Sequence, residues 1–342
     1  MMLKFIKEEN KNIIFLILFI SLILVCLPRF DRADRGPVKQ FVGNDELYEG
    51  LPIDILIYTK YITYFRTGNG ADQINPPYSY RVLVPFLASQ LPYSPMTSLN
   101  LINLIFLLIG LIFLYKILKI TGVRFDFRIV GCLLYIFSFP MFYYATSGYI
   151  DGSFVGLEIT VIYFILSRNI IAVFILIFLG CLLSEKIVIL LPFMIAFLYR
   201  EKISLNSSLL LTIGFLLIYF AVAIAVRKLA PSQTQGYVWL PGELFLMQNI
   251  FRPKAYLSFI ITLGIPGILA IISYFKFSAE KVKTYSYFYI GFMTSIALYI
   301  YSFFSAWADG RTIWTIYPFA IPLTVLYLQN RKKLNDKIFL IN

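Results

Sequence analysis

The sequence predicts an all-α protein, a polytopic bundle of about ten transmembrane helices with a long first outer loop that carries interfacial helices. Of the 342 residues, 59% are hydrophobic and only 14% are charged, whereas roughly 25% of the residues in soluble domains are charged. Apolar stretches of about 17–25 residues, the length that crosses the hydrocarbon core of a bilayer, recur along the chain. The composition therefore indicates a membrane protein.

The chain is interpreted as a single transmembrane domain, residues 1–342. The first span covers 12–28, the outer loop covers 29–97, the other spans lie within 98–329, and 330–342 form a cytoplasmic tail. The later spans are predicted at about 98–117, 128–147, 152–168, 169–183, 187–199, 206–226, 255–275, 284–304 and 313–329. No small-x-small cleavage site follows the first span, so it is interpreted as a retained helix and not as a signal peptide.

The distribution of charge predicts the orientation. With the N-terminus inside, the inner segments hold 17 of the 30 Lys and Arg side chains but only six of the 18 Asp and Glu side chains. This bias follows the positive-inside rule and predicts that both termini are cytoplasmic. Almost all the other acids then face outward, and the three tryptophans lie near the outer surface as an interfacial belt.

Residues 169–199 allow either two short spans or one long tilted helix. A single helix would reverse the orientation of everything that follows it. It would also bury Glu185 and Lys186 at the centre of the membrane, at a cost of about 2.5–3.5 kcal/mol each. Two spans with a break near Glu185 are therefore predicted, with the break at the outer side.

Several functional classes are excluded by residues that the chain lacks. There is no histidine, so Ser-His-Asp catalysis, histidine metal sites and a histidine-dependent membrane acyltransferase are not expected. Cys26, Cys132 and Cys181 all fall in apolar segments, which suits small buried hydrophobic residues. The net charge of +12 is attributed to cytoplasmic loops, so no nucleic-acid partner is expected.

The outer segments are predicted to carry short helices. Residues 51–65 have apolar residues at helical spacing, which indicates an amphipathic helix in the membrane interface. A second short helix is expected over 80–91, with Arg81 at its start, and the loop 229–254 is a candidate flap over the site.

The first candidates for chemistry are Asp45 and Glu46. Without histidine, acid–base catalysis falls to Asp and Glu, and a general base needs only a carboxylate within reach of the hydroxyl that it deprotonates. Asp45 is predicted to be that base, and Glu46 to orient it or bind substrate. The structural alternative is a helix that begins at Asp45 with Asn44 as its N-cap.

The other candidates lie at the outer ends of later spans: Asp151, Glu185, Lys186, Asp309 and Arg311. Each has a purely structural alternative. Asp151 suits the N-cap of a span. Glu185 and Lys186 suit a mutual ion pair at a helix break. Asp309 and Arg311 suit a tight turn in which the two charges neutralise each other. Glu158 lies inside a span, where an acid is a functional candidate by default, or pairs with a lysine or hydroxyl.

Three short motifs resemble those of a known family. The string Asp45–Tyr48 (DELY) after the first span, Pro77–Pro85 (PYSYRVLVP) and Ser184–Lys186 (SEK) are similar to elements of the GT-C superfamily of membrane glycosyltransferases, in its poorly characterised bacterial branch. The resemblance covers the architecture of about residues 12–330. It implies a polyprenyl-phosphate-linked sugar as donor, a glycan, lipid or protein as acceptor, and a site on the outer face of the bacterial inner (plasma) membrane.

The resemblance also implies roles for the candidates. Asp45 would be the base of an inverting transfer. Arg81, Lys186 and Arg311 would contact the phosphate, with Tyr48, Asp151, Glu185 and Asp309 beside the substrate. A divalent cation, Mg²⁺ or Mn²⁺, stays open as a cofactor, because a paired acid can bind one.

Two alternatives remain for function. A polysaccharide polymerase or ligase of lipid-linked repeat units would also have many spans, but its large outer loop usually lies later in the chain. A lipid-linked sugar transporter or flippase would be expected to show repeats or charged, broken helices near the middle of the membrane.

Overall fold

The computed structural model describes residues 10–30, 39–42, 46–49, 53–74, 76–230, 243–305 and 308–339. The described chain is helical, apart from turns and one short antiparallel hairpin. The predicted base Asp45, two of the three tryptophans and residues 231–242 of the predicted flap lie outside the described residues.

Five helices are long and apolar enough to cross a membrane. They are α1 (Lys11–Cys26, extended to Arg29 by a 3₁₀ turn), α4 (Pro95–Ile120), α10 (Leu205–Leu229), α12 (Pro253–Lys276) and α14 (Ser286–Ser305). The chain is therefore a membrane protein with several apolar helices of spanning length.

Shorter helices and one long C-terminal helix complete the bundle. They are α2 (Ile53–Thr67), α3 (Leu83–Ser89), α5 (Phe125–Ile136), α6 (Phe139–Tyr143), α7 (Asp151–Leu166), α8 (Ile170–Leu183), α9 (Leu190–Arg200), α11 (Glu243–Ile250), α13 (Ala279–Thr284), α15 (Gly310–Ile313) and α16 (Tyr317–Phe339).

The hairpin corrects one prediction. Strands β1 (Lys39–Val42) and β2 (Glu46–Glu49) pair antiparallel, with Val42 opposite Glu46. A helix beginning at Asp45 was expected as the structural alternative, and this is wrong, because the next residues are extended. Phe, Val, Leu and Tyr in the two strands favour a pleated backbone over a helix.

Helix α2 confirms the predicted helix of the outer loop. It buries Ile57, Tyr61 and Ile62, while Leu56 is 40% exposed, so the helix has one buried and one open side. Arg66 at its end donates to the carbonyl oxygen of Leu91 (2.7 Å). Helix α2 is thereby fastened to the segment that enters α4.

Helix α7 is the centre of the bundle. Of its 16 residues, 14 are buried. It packs so closely on α4 that a Cβ atom added at Gly156 would lie 2.1 Å from the carbonyl oxygen of Phe106. Asn103 on α4 accepts hydrogen bonds from the amide and hydroxyl of Ser153. This packing fixes the first turn of α7, where Asp151 lies.

Two helix breaks shape the bundle. The predicted break near residue 185 is confirmed, because Ser184 is extended and a 3₁₀ turn, Glu185–Ile189, follows it. The continuous span predicted at 128–147 is wrong. Its helix ends at Ile136, and α6 restarts with Ser138 as N-cap and Pro140 in the first turn, where proline needs no amide hydrogen.

The tryptophan prediction also needs correction. Trp314 was expected at the outer interface, but it is fully buried in the 3₁₀ turn between α15 and α16. The three cysteines are buried, as predicted.

Candidate functional site

Seven charged side chains from five separate segments meet at one end of the bundle. We call them the charged cluster: Asp54 in α2, Arg81 before α3, Asp151 in α7, Glu185 and Lys186 between α8 and α9, and Asp309 and Arg311 around the start of α15. Six of the seven were predicted as site residues, and the structure brings these six together.

Arg81 and Glu185 form a two-pronged ion pair. Arg81 donates from Nη2 to Oε1 (2.7 Å) and from Nε to Oε2 (3.4 Å) of Glu185, and from Nη1 to the hydroxyl of Tyr58 (3.0 Å). Burial acts to raise the pKa of the Glu185 carboxyl, but the Arg81 charge and hydrogen bonds hold that pKa below its ordinary value. Glu185 is thus kept ionised.

Lys186 turns the other way, toward α7. Its Nζ donates to Asp151 Oδ1 (2.8 Å), so the mutual ion pair predicted between Glu185 and Lys186 is wrong. The extended backbone of Ser184 and the 3₁₀ turn after it let two consecutive side chains point to different partners. Asp151 is also not the N-cap of α7, since Ile150 holds that position.

Arg311 lies among three acids. Its Nη1 is 2.7 Å from Asp54 Oδ2 and 3.7 Å from Asp151 Oδ2, and its Nε is 3.7 Å from Asp309 Oδ2. Its guanidinium carbon lies 3.9 Å from the centre of the Tyr149 ring. Arginine stacks on aromatic rings while it holds carboxylates in its plane, which accounts for this placement.

Asp54 is the cluster residue that the sequence did not indicate. Its Oδ1 accepts a hydrogen bond from the Tyr78 hydroxyl (2.7 Å). Burial acts to raise the pKa of Asp54, but the Arg311 charge and the Tyr78 and Arg311 hydrogen bonds hold it below the ordinary value. An acid in the first turn of a predicted helix was the available signal, but first-turn acids are common for the helix dipole alone.

Asp309 has more than the pairing role predicted for it. Its Oδ1 accepts from the Tyr144 hydroxyl (2.8 Å) and from the backbone amide of Arg311 (3.4 Å), which makes it the N-cap of α15. The closest acid to Arg311 is Asp54 and not Asp309. Tyr144 and Asp309 therefore fix the turn that presents Arg311.

The charged cluster is partly open. Its side chains are between 11% (Arg81) and 36% (Glu185) exposed, so a ligand can reach them from one side. Three cations face four acids, which leaves one net negative charge within the cluster. Since each acid has a cation within 4 Å, an incoming anion must share or replace existing ion pairs.

The cations differ in the hydrogen bonds that they can still donate. All three nitrogens of the Arg81 guanidinium donate to Glu185 or Tyr58. Lys186 uses one of its three N–H groups on a side chain, and Arg311 donates one hydrogen bond, to Asp54. Lys186 and Arg311 therefore have donors left for a ligand.

Three of the predicted site residues lie in the first loop. Asp45 lies outside the described residues, and Glu46 and Tyr48 lie in β2. For a metal, the described residues contain no group of three or more His, Cys, Asp and Glu placed to hold an ion.

No protein-family model matches the chain, and no curated protein matches it.

Proposed function

We propose that this protein is an integral-membrane glycosyltransferase that moves a sugar from a polyprenyl-phosphate donor to an acceptor glycan, lipid or protein. One observation carries the proposal. Six of the nine residues predicted for such a site, from four distant segments, lie in one partly open cluster at one end of a membrane bundle. A purely structural role would need only isolated pairs.

The reaction that we propose is an inverting transfer. The Asp45 carboxylate takes the proton of the acceptor hydroxyl as that oxygen forms a bond to the anomeric carbon of the donor sugar. The bond from this carbon to the phosphate oxygen breaks on the opposite face, and the phosphate leaves with the electron pair. Glu46 orients the base, and Tyr48 contacts the sugar.

The donor phosphate is assigned to Lys186 and Arg311. These two side chains retain donors, and fixed cations stabilise the charge that develops on a departing phosphate. Three of the five N–H groups of Arg81 donate to Glu185 and Tyr58, so its main role in the proposal is to hold Glu185 and the segment around it. No metal is required by this assignment, although Mg²⁺ or Mn²⁺ remains open as an addition.

We propose ten spans with both termini in the cytoplasm. At the cluster end, Asn100 near the start of α4 donates to the carbonyl of Phe30 just beyond α1 (2.8 Å). At the far end, the amide of Arg124 donates to Gln329 (2.7 Å). Helices running between these ends support ten passes, in the order α1, α4, α5 with α6, α7, α8, α9, α10, α12, α14 and α16.

This topology puts the charged cluster at the outer face of the inner membrane of a bacterium. It is tested at Lys281, which donates to Asn330 at the far end. In intact cells a membrane-impermeant maleimide should not label Lys281→Cys, whereas it should label Asp72→Cys in the outer loop. Labelling of Lys281→Cys before the cells are opened would overturn the topology.

The transfer is tested with synthetic undecaprenyl-phosphate monosaccharides and envelope glycan or lipid fractions as acceptors, using protein reconstituted in liposomes. Release of undecaprenyl phosphate with a new glycosidic product is expected. Asp45→Asn should abolish the product while the protein still inserts, and Asp72→Asn, an exposed acid of the same loop, should not change it. Full activity of Asp45→Asn would exclude the base assignment.

A second candidate is a transporter of lipid-linked sugars. The observation that favours it is Glu158, a fully buried acid inside α7 whose two carboxylate oxygens have no hydrogen-bond partner in the described chain. Intramembrane acids often mark transport pathways. Movement of a labelled lipid-linked sugar across liposomes without a glycosidic product would favour this candidate. Joining of whole repeat units would instead indicate the polymerase or ligase.

A further inference from the structure

The end of the bundle opposite the charged cluster is basic. Five cationic side chains surround it, and we call them the basic patch: Lys11 in α1, Lys119 in α4, Arg124 and Arg128 around the start of α5, and Lys332 in α16. Helix α4, with 26 residues, separates the two ends by about 39 Å at 1.5 Å per residue. The basic patch is therefore independent of the charged cluster.

One acid of the described chain lies within the basic patch. Asp126 is 8% exposed and is shared by Arg124 (3.1 Å) and Lys332 (3.7 Å). A single carboxylate neutralises about one of these two cations. Lys11 and Lys119 have no ion pair among the described residues, so the described cations of the patch outnumber its one described acid.

Two aromatic rings form the floor of the patch. The Tyr115 ring lies between Lys11, whose Nζ is 5.8 Å from its centre, and Arg128, which donates to its hydroxyl (3.0 Å). The Phe127 ring lies 5.7 Å from Lys332 Nζ and 5.9 Å from the guanidinium carbon of Arg124. The charged groups thus lie close to aromatic rings, in the geometry of cation–π contacts.

The charged groups remain accessible. The side chains of Arg124 and Lys332 are 48% and 39% exposed, and Lys119 is exposed in the last turn of α4. Helices α1 and α4 both have the length and composition of membrane spans. Their ends lie where lipid headgroups lie, and phosphate groups are the most abundant anions at that depth.

We propose that the basic patch binds the headgroup of an anionic phospholipid from the leaflet at this end of the bundle. The lipid phosphate lies among Lys11, Lys119 and Arg124 and adds the negative charge that Asp126 alone does not supply. Since these three cations come from α1, α4 and the start of α5, one bound headgroup holds three helix ends together. The site is separate from the transferase proposal and does not depend on it.

The test uses detergent-purified protein titrated with dioctanoyl phosphatidylglycerol or dioctanoyl phosphatidylcholine, with bound lipid counted by native mass spectrometry. We expect phosphatidylglycerol to bind more tightly. The double variant Lys11→Gln/Lys119→Gln should weaken its binding by about 25-fold, since each basic residue near an anionic surface contributes about a fivefold factor. These lysines carry no ion pair in the described chain, so their loss should not unfold the protein.

The matched control is Lys60→Gln/Lys254→Gln, which removes the same charge at the other end of the molecule. This control should bind phosphatidylglycerol like the wild type. Three results would overturn the proposal: equal affinity of the wild type for both lipids, equal weakening in the control, or unchanged binding in Lys11→Gln/Lys119→Gln. The lipid comparison in the wild type decides the question even if a variant fails to fold.

Discussion

Asp54 and Arg311 are 257 positions apart in the chain and meet at 2.7 Å. This contact joins α2, in the loop predicted to follow the first span, to the segment that leads into α16. It also puts an acid of the loop beside Asp151 through their shared arginine. The loop is thus part of the site and not an appendage.

The penalties for removing the two partners of this contact should not add. Arg311→Gln leaves Asp54 without its main cation, at an expected cost of about 2 kcal/mol, because the pair is only partly exposed. In Asp54→Asn/Arg311→Gln the penalty should be smaller than the sum of the single penalties. Thermal unfolding in detergent compares the wild type, the two single variants and the double variant. Strict additivity would mean that the contact does not form.

The two-pronged geometry of Arg81 should be needed, and not only its charge. Lysine offers a point charge and does not bond both oxygens of Glu185, so we expect Arg81→Lys to lose about 1–2 kcal/mol of stability. Lys60→Arg on the nearby surface of α2 is the control and should have no effect. An unfolding temperature for Arg81→Lys equal to that of the wild type would contradict the prediction.

Stability should fall at acidic pH. The folded-state pKa values of Asp54 and Glu185 lie below their ordinary values of 3.8 and 4.5. Their contribution is therefore present above these ordinary values and is lost as pH falls through the lower folded-state values, because the unfolded chain binds protons first. Unfolding followed from pH 7 to 3 should show this loss. In Asp54→Asn/Glu185→Gln the stability should fall less steeply as the pH is lowered. An unchanged dependence of stability on pH would refute the lowered pKa values assigned to these two acids.

Glu158 should be dispensable for folding. It is fully buried and its oxygens have no partner in the described chain, so its burial opposes folding. We expect Glu158→Gln to be neutral and Glu158→Leu to stabilise by about 1–2 kcal/mol. Asp151→Asn, seven residues earlier on the same helix, should destabilise because it weakens the bond to Lys186. If Glu158→Gln loses the transport of lipid-linked sugar across liposomes while its stability is unchanged, the result would favour the transporter.

The contact between α4 and α7 should not tolerate a methyl group. Gly156→Ala would bring a Cβ atom to 2.1 Å from a backbone oxygen that cannot move alone, so we expect a loss of about 3 kcal/mol. Gly214→Ala meets only the ring of Phe174, at 2.7 Å, and a ring can rotate. The second variant should be much milder, and similar unfolding temperatures for both would disagree with this packing.

The sequence was most informative where charge is costly. Charged residues at the ends of apolar segments indicated Arg81, Asp151, Glu185 and Arg311, because the membrane tolerates them only at helix ends or in pairs. It did not indicate which cation meets which acid. The pairing of Arg81 with Glu185 spans 104 positions and depends on how the helices pack, which local patterns do not contain.

The missed features have the same origin. Asp54 was not singled out from the sequence, because its partner Arg311 is distant along the chain. The end of the helix at Ile136 was hidden by apolar composition that continues across it, and only Ser138 and Pro140 mark it. The hairpin is four residues a side, too short for a periodic signal.

Asp151 has one oxygen toward Lys186 and the other toward Arg311, at 2.8 and 3.7 Å. A guest anion that draws Lys186 away therefore does not strand this carboxylate, since the arginine on its other flank is already close. Asp151 can thus exchange Lys186 for Arg311 as its counterion. The ion pair with Lys186 breaks while an anion is bound and forms again when the anion leaves. In a site made only of isolated ion pairs, drawing the cation away would leave the carboxylate without a counterion.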